Sequence, residues 1–576
     1  MFALLSEICV LILSVCGVSA FDGFLAAVYE HVAFVQNDTN TSVTAAEALE
    51  LMNKNMDILE TAIRSAAKQN AQIIVTPELA IYGWGFTRQT IFPYLENVPD
   101  PNVNWIPCTD PNRFGPAPVQ ERLSCMAKTN NIYVVANVGD KKPCNLSNNS
   151  CPEDGQFFYN TLVAFDSRGK LVARYHKYHL FFEEYFNRPE KPQRVAFNTP
   201  FGSFGLFTCF DILFCDPAVA LVDEQLIDSV VLPTAWMNVL PHFSAIEIHT
   251  AWAKAMGVNL LSANINNKSL NWTGSGVFPV HGKAEYYYNS EDEEGHLVVA
   301  QVTHQPRSPP MHSTVNWSHY AINMPRFPAG ENEFNAMVIY DNFTFTELTK
   351  AQGNYTVCHN ELCCHLSYNM VGKRNDEVYA LGAFDAMHTA TNPFYLQICT
   401  LLKCRSTELK TCGQPAEESS TKFESFSLWG SFGAKHVFPE VLFSGIEPGL
   451  EDFQVLKDGR LVSRSTVSNK PLLTATLLGR WEERDHVEVH SGYNQHCRAS
   501  QKESDRLQKV LARPKCRTKV KLASNLKAAM RTGEGGHEVQ EELTYLEELV
   551  PSVITAKLVA GVEGHGGAAY EDQQDT

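Results

Sequence analysis

The chain of 576 residues is poor in positive charge: 47 Lys and Arg stand against 64 Asp and Glu, a formal net charge of −17. That balance argues against a phosphate-neutralising surface, so nucleic acid is not an expected partner. Past the N-terminus there is no apolar run of about 18 residues, and no spanning helix is expected. The final residues, Tyr570-Glu571-Asp572 among them, are polar, so the apolar tail that directs a lipid anchor is missing and membrane attachment has no support here. Histidines at zinc-module spacing beside the cysteine clusters are missing too, which leaves those clusters to be read as disulfides.

Cysteine itself is plentiful, at 16 residues. Cys108/Cys125, Cys144/Cys151, Cys358/Cys363/Cys364 and Cys399/Cys404/Cys412 fall at short spacings typical of local disulfides, although the pairing within and between clusters stays open. Residues 1–20 read as a secretory signal: Ile8 to Val18 form the apolar core and Val18-Ser19-Ala20 a small-residue cleavage site, so the mature chain begins at Phe21. Nine Asn-X-Ser/Thr sequons agree, at Asn37, Asn40, Asn145, Asn148, Asn267, Asn271, Asn316, Asn342 and Asn354. Together these predict a secreted, disulfide-bonded glycoprotein.

Residues 21–303 alternate strand and helix patterns. Phe24 onward is strand-like. Thr44 and Glu47 then form a capping box before apolar residues at Leu49, Met52, Met56, Leu59, Ile63 and Ala67. Ile73-Ile74-Val75, Ile132 to Asn137, the hairpin pair Thr161 to Phe165 and Leu171 to Tyr175, Ser229 to Thr234, Asn259 to Asn264 and residues 296–302 read as further strands, with helices at 118–129 and 245–256. This is an α/β layered domain. Residues 304–310 read as a linker. Residues 311–485, with six cysteines and short alternating strands, read as a β-rich second domain. Residues 498–531 carry eleven Lys/Arg against two Asp/Glu, and 534–576 ten acids against one lysine. Segregated charge of that kind makes 486–576 an expected disordered tail.

Three strand ends carry chemistry. The apolar run from Phe204 to Phe214 reads as a buried strand with Cys209 near its end. Asp216-Pro217 then looks like the cap and first turn of a helix. A cysteine alone at such a place is more often a core thiol or half of a disulfide. Thr76-Pro77-Glu78 puts a carboxylate after one buried strand, and Lys177 follows another, between His176 and His179. Either histidine raises a Cys–His protease reading, but that reading leaves the Glu and Lys unexplained. Glu183 and Glu184 follow the lysine, with Glu183 preferred as an auxiliary. Tyr82 and Trp236 are candidates for the pocket wall or the core.

The order Glu, Lys, Cys on strand ends resembles the nitrilase superfamily of carbon–nitrogen hydrolases, and within it the vanin/biotinidase branch. Thr76-Pro77-Glu78, Arg174-Tyr175-His176-Lys177, Phe207-Thr208-Cys209-Phe210-Asp211-Ile212-Leu213-Phe214 and Pro233-Thr234-Ala235-Trp236-Met237-Asn238 carry the resemblance, which spans about residues 24–485. It implies an α-β-β-α sandwich followed by a base domain. It implies Glu78 as proton acceptor, Lys177 as proton donor or oxyanion stabiliser, and Cys209 as nucleophile. The Phe210 backbone N–H is the natural second oxyanion donor. No metal or organic cofactor is required for such chemistry. Asn104 to Cys108, Pro118 to Cys125, Gly353 to Cys358 and Cys363 to Tyr368 are closer to vanins (pantetheinases) than to biotinidases. The expected substrate is therefore pantetheine, cut to pantothenate and cysteamine. Biotin amides are the alternative, and a binding glycoprotein with a relic hydrolase domain a third. Cys215, Cys497 and Cys516 depart from the family pattern.

Overall fold

Two stacked sheets place the three strand ends on one rim. The computed structural model describes residues 23–485, except 148–149, 226, 304–307, 324–332, 390–392 and 464–469. The signal-like residues 1–20, the tail 486–576 and Asn148 lie outside the described residues.

The helix Ala45–Lys68 starts where the capping box requires: the Thr44 N–H donates to Glu47 Oε2 at 2.8 Å and the Glu47 N–H to Thr44 Oγ1 at 3.3 Å. It buries Ala48, Met52, Met56, Leu59, Ile63 and Ala66 at helical spacing. The first sheet runs, edge to edge, through His296–Thr303, Gly23–Glu30, Ile73–Val75, Tyr133–Pro143, Gln156–Phe165 and Leu171–His176. The second runs through Glu285–Tyr287, Ser275–Phe278, Asn259–Asn264, Ser229–Thr234, Gly202–Leu206 and Val195–Thr199. Central strands in each are parallel and the flanking ones antiparallel.

Period-two alternation divides the central strands of the first sheet between two cores. Ala26, Val28, Ile73, Val75 and Val135 face the second sheet with Leu206, Val231 and Leu260. Ala27, Ile74, Val134 and Ala136 face outward onto the helices Ala45–Lys68 and Pro118–Asn130. The helix Ala245–Met256 covers the other sheet. The result is the α-β-β-α sandwich that the resemblance implied.

After two short helices, Met311–Thr314 and His319–Asn323, the rest is β-rich. One sheet is built on Glu333–Val338, Asp341–Glu347, Tyr379–His388, Phe394–Lys403, Leu472–Arg480 and His436–Phe443. A second is built on Gln352–His359, Leu362–Val371 and Lys422–Gly430. Its core is continuous with the sandwich through Phe343, Phe384, Phe394 and Phe438. Among the described residues five disulfides are formed: Cys108–Cys125, Cys144–Cys151, Cys358–Cys363, Cys364–Cys399 and Cys404–Cys412. Cys364–Cys399 joins two of the sequence clusters, because it bridges strands of opposite sheets.

Two local expectations fail. The apolar run from Phe204 stops being strand at Leu206, and a short turn begins at Cys209 itself. Asp216 has the extended backbone of a helix cap (φ −114°, ψ 119°) ahead of Pro217 but not a cap's side-chain hydrogen bond. Its carboxylate is instead taken by Arg194, at 3.1 and 2.6 Å. Regular α-helix begins only at Ala220. The first strand ends at Glu30, and the edge strands Val195–Thr199, Ser275–Phe278 and Glu285–Tyr287 were not legible as strands.

Candidate active site

Glu78 follows the strand Ile73–Val75 by three residues, Lys177 directly follows Leu171–His176, and Cys209 lies three past Gly202–Leu206. All three line one cavity, with Leu79, Trp84, Phe181, Glu183, Tyr185, Ala235, Met237 and Trp272. The cavity is a cleft open to solvent, with about 470 Å³ of free space once its open mouth is included. Trp84 and Trp272 meet edge to face at 4.9 Å between ring centroids and form an apolar wall.

The polar floor is fully buried. Lys177 Nζ donates to Glu78 Oε1 at 2.7 Å and to Glu183 Oε1 and Oε2 at 2.9 and 3.0 Å. Asn160 Nδ2 donates to the same two carboxylates, at 2.7 Å to Glu78 and 2.8 Å to Glu183. Glu78 Oε2 accepts the Ala235 N–H at 3.2 Å, and Glu183 Oε2 the Phe181 N–H at 2.8 Å. One ammonium thus serves two carboxylates. Burial pulls the Lys177 ammonium down, but Glu183, Glu78 and Cys209 outweigh it and hold the group well above the ordinary lysine range. Burial pushes Glu183 up to about 7, with the Glu78 charge adding to it and Lys177 opposing it. Burial, then the Glu78 charge, pushes the Cys209 thiol up strongly, against Lys177, the Thr234 hydroxyl and the Ala235 amide. The resting sulfur is a neutral thiol.

Cys209 has φ +46°, a left-handed conformation that non-glycine residues adopt at a cost. The surrounding structure holds it there. Asp211 accepts from the Tyr175 hydroxyl at 2.7 Å, the His179 N–H at 2.8 Å and the Thr208 N–H at 3.2 Å. One buried carboxylate therefore ties the Cys209 turn to the segment that carries Lys177. Phe210 is the second residue of the turn Cys209–Leu213, so its N–H has no acceptor within the turn.

The other candidates separate cleanly. Glu183 is buried at the floor and Glu184 is exposed. His176 is occupied by Asp140 at 2.8 Å, and His179 by the Asp216 carbonyl at 2.8 Å while stacked on Phe214 at 3.6 Å. Neither histidine lines the cavity, which removes the geometry a Cys–His dyad needs. Tyr82 and Trp236 belong to the core: the Tyr82 hydroxyl donates to Asn137 Oδ1 at 2.8 Å and Trp236 Nε1 to the Phe243 carbonyl at 2.9 Å. Sequence reasoning missed Asn160 and its support Asn137, whose Nδ2 donates to Asn160 Oδ1 at 2.5 Å. The signal was available, since each asparagine interrupts an otherwise apolar buried strand.

Residues 31–238 match the carbon-nitrogen hydrolase family, and residues 333–485 match the vanin C-terminal domain. Among curated relatives, the chain is 56% identical over 467 residues to the pantetheine hydrolase VNN2 of Homo sapiens, covering 81% of this chain and 90% of that one. It is 56% identical over 484 residues to the pantetheinase of Mus musculus, covering 84% and 93%. Identity to the biotinidase of Homo sapiens is 39% over 500 residues, covering 80% and 90%.

Proposed function

Because this chain belongs to the vanin branch of the carbon-nitrogen hydrolases, we propose that it hydrolyses the linear amide of pantetheine to pantothenate and cysteamine. The observation that carries the reading is the buried Glu78–Lys177–Glu183 cluster, which shares a cavity with a strained, neutral cysteine thiol. The higher identity to pantetheinases than to biotinidase favours pantetheine over biotin amides.

Each step follows from a residue's surroundings. Cys209 Sγ attacks the amide carbonyl carbon as Glu78 accepts the thiol proton; a thiol raised by burial needs such a base at its side. The tetrahedral oxyanion lies between the Lys177 ammonium and the Phe210 N–H, and a charge held in a dry site acts on it without reorganisation. The carbon–nitrogen bond breaks as Glu78 returns its proton to the departing amine. The pantothenoyl thioester remains on Cys209. Glu78 then takes a proton from water, the hydroxide adds to the thioester carbon, and the carbon–sulfur bond breaks with the proton returned to sulfur. Glu183, which accepts from Lys177 Nζ through both of its oxygens, fixes the position of the ammonium.

The domain reading accompanies this proposal: a signal peptide over 1–20, a catalytic domain over 21–303, a base domain over 311–485 and a tail over 486–576. Secretion is supported by five disulfides and by exposed sequon side chains at Asn37, Asn40, Asn145, Asn316, Asn342 and Asn354. Asn267 and Asn271 are poorer acceptors. Asn267 caps a turn by accepting the Leu270 N–H at 3.0 Å, and Asn271 Nδ2 donates to the Asn238 carbonyl at 2.8 Å. Among the described residues no helix is long and apolar enough to cross a membrane.

Assaying amine release from pantetheine and from biotinyl-lysine tests the reading. The expected result is turnover of pantetheine with the larger kcat/KM, and no acyl-enzyme in the Cys209→Ala variant by mass spectrometry. Preferred cleavage of biotinyl-lysine would overturn the substrate assignment. An acyl adduct in Cys209→Ala would overturn the nucleophile.

A further inference from the structure

Outside the catalytic cavity, one set of side chains is assembled from three distant parts of the chain. Asp223 lies in the short helix Ala220–Glu224, His312 in the helix Met311–Thr314 that follows the linker, and His436 opens the strand His436–Phe443 of the β-rich half. One ring nitrogen from each histidine and one Asp223 oxygen lie within 4.8 Å of one another. His312 Nε2 and Asp223 Oδ2 are 3.3 Å apart, which is already the edge of a tetrahedron with bonds of ~2.1 Å.

His436 supplies the independent observation. It is buried at 4% exposure, its Nδ1 faces Glu482 Oε1 at 3.2 Å, and its Nε2 has no hydrogen-bond partner. A histidine with one nitrogen on a carboxylate and a bare lone pair on the other has the arrangement of a metal-bound imidazole and its outer support. Leaving a buried ring nitrogen unpaired otherwise carries a desolvation penalty with nothing to offset it. The two imidazole rings pack nearly perpendicular, at 86° and 4.9 Å between centroids. Asp223 is exposed, which leaves one side open to solvent.

We propose that Asp223, His312 and His436 bind a zinc ion, with water in the fourth position, that clasps the linker helix to both halves of the molecule. Imidazole and carboxylate donors in tetrahedral reach suit zinc rather than calcium or magnesium, which take all-oxygen shells. Two neutral imidazoles and one carboxylate leave a charge of about +1, which Glu482 balances from the outer shell. The cations nearby do not preclude this, since Arg480 is engaged by Asp485 at 2.9 Å and Lys435 is exposed. The ion is remote in role from amide cleavage and acts on the fold, binding the native arrangement and not the unfolded chain.

The test uses the full-length protein stripped with a chelator and titrated with zinc against a competing indicator, beside Asp223→Asn and His312→Asn. Both substituted positions are at or near the surface, so these variants are expected to fold. Wild type should take up one more tight equivalent of zinc than either variant, and its Tm should rise with zinc while theirs does not. Glu482→Gln should keep that equivalent but weaken it by about 10- to 100-fold. Cobalt in place of zinc should give the visible absorption of a tetrahedral nitrogen and oxygen site. Equal zinc uptake and equal Tm response in wild type and Asp223→Asn would overturn the proposal. A thiolate charge-transfer band in the cobalt form would do the same, because it would place the metal on a cysteine.

Discussion

Glu183 sits where two carboxylates compete for one ammonium. Burial raises it to about 7, so its ionised form, which pairs with Lys177, is lost as pH falls through that value. If the ionised form positions Lys177 for the oxyanion, kcat/KM for pantetheine should fall below about pH 7 in the wild type. Glu183→Gln should lower the plateau by roughly 10²-fold and remove that limb. A limb unchanged in the variant would assign it to another group. The choice of Glu183 over Glu184 was made in the sequence only as a preference, because adjacent residues in a loop carry no periodicity. Backbone direction after Lys177 decides it, sending one carboxylate to the floor and the other to solvent.

The turn Cys209–Leu213 shows how the β-rich half reaches the chemistry without entering the cavity. Arg480, fully buried at the end of the strand Leu472–Arg480, donates from Nε to the Leu213 carbonyl at 2.7 Å. The same guanidinium donates to the Tyr395 carbonyl and lies over Phe394 and Phe214, with centroids at 5.0 and 5.6 Å. It therefore braces the turn that holds Cys209 at positive φ. Arg480→Met leaves the Leu213 carbonyl and Asp485 without this partner, an expected cost of about 3–5 kcal/mol. That should lower the Tm by roughly 3–5 °C, given ~1 °C per kcal/mol for a chain of this size. Acylation measured in single turnover should slow while KM for pantetheine changes little. An unchanged acylation rate with a lowered Tm would mean that Arg480 stabilises the fold and does not position the turn. In the sequence Arg480 looks like an ordinary basic residue before Trp481, and the 267 residues between it and Leu213 hide the contact.

Across the whole molecule, stability depends on a set of buried titratable groups that oppose one another. Burial lifts Glu30 to about 7, Glu183 to about 7 and Glu247 to about 8, so these groups stabilise below the ordinary carboxyl range and lose that contribution as pH rises through 7 to 8. Burial lowers His31 to about 4 and His179, His242 and His249 to about 3. Those histidines stabilise above their ordinary 6.5, and the contribution is lost as pH falls below it toward 3 to 4. Between the ordinary carboxyl value and 6.5 the two sets offset. Above 6.5 only the carboxyls still titrate, so Tm should fall steadily from about pH 6.5 to pH 8. A Tm that rises or stays flat across that interval would contradict this. Glu247 matters most here, since it is raised furthest of the three and sits at the contact between the halves, where Thr474 Oγ1 donates to its Oε1 at 3.0 Å and the Glu440 carboxylate, 3.9 Å from His242 Nδ1, has no hydrogen bond.

What residue order alone decided was the part written in periodicity and motif: the capped helix at Ala45–Lys68, the alternation that splits strands between two cores, and Glu78, Lys177 and Cys209 at strand ends. These are local or nearest-neighbour properties, since apolar spacing sets which face is buried and a short motif marks where a strand stops. Tertiary structure alone decided which of these residues meet. Asn160 reaches Glu78 across 82 residues and Glu183 across 23, Asp211 ties the Cys209 turn to the Lys177 segment, and Cys364 pairs with Cys399 and not within its own cluster. It also decided that the Asp216 carboxylate pairs with Arg194 instead of making a cap's hydrogen bond. The reason is the same in each case. A polar side chain taken out of water must find a partner wherever the fold brings one, and the fold brings partners from positions that chain order does not make neighbours.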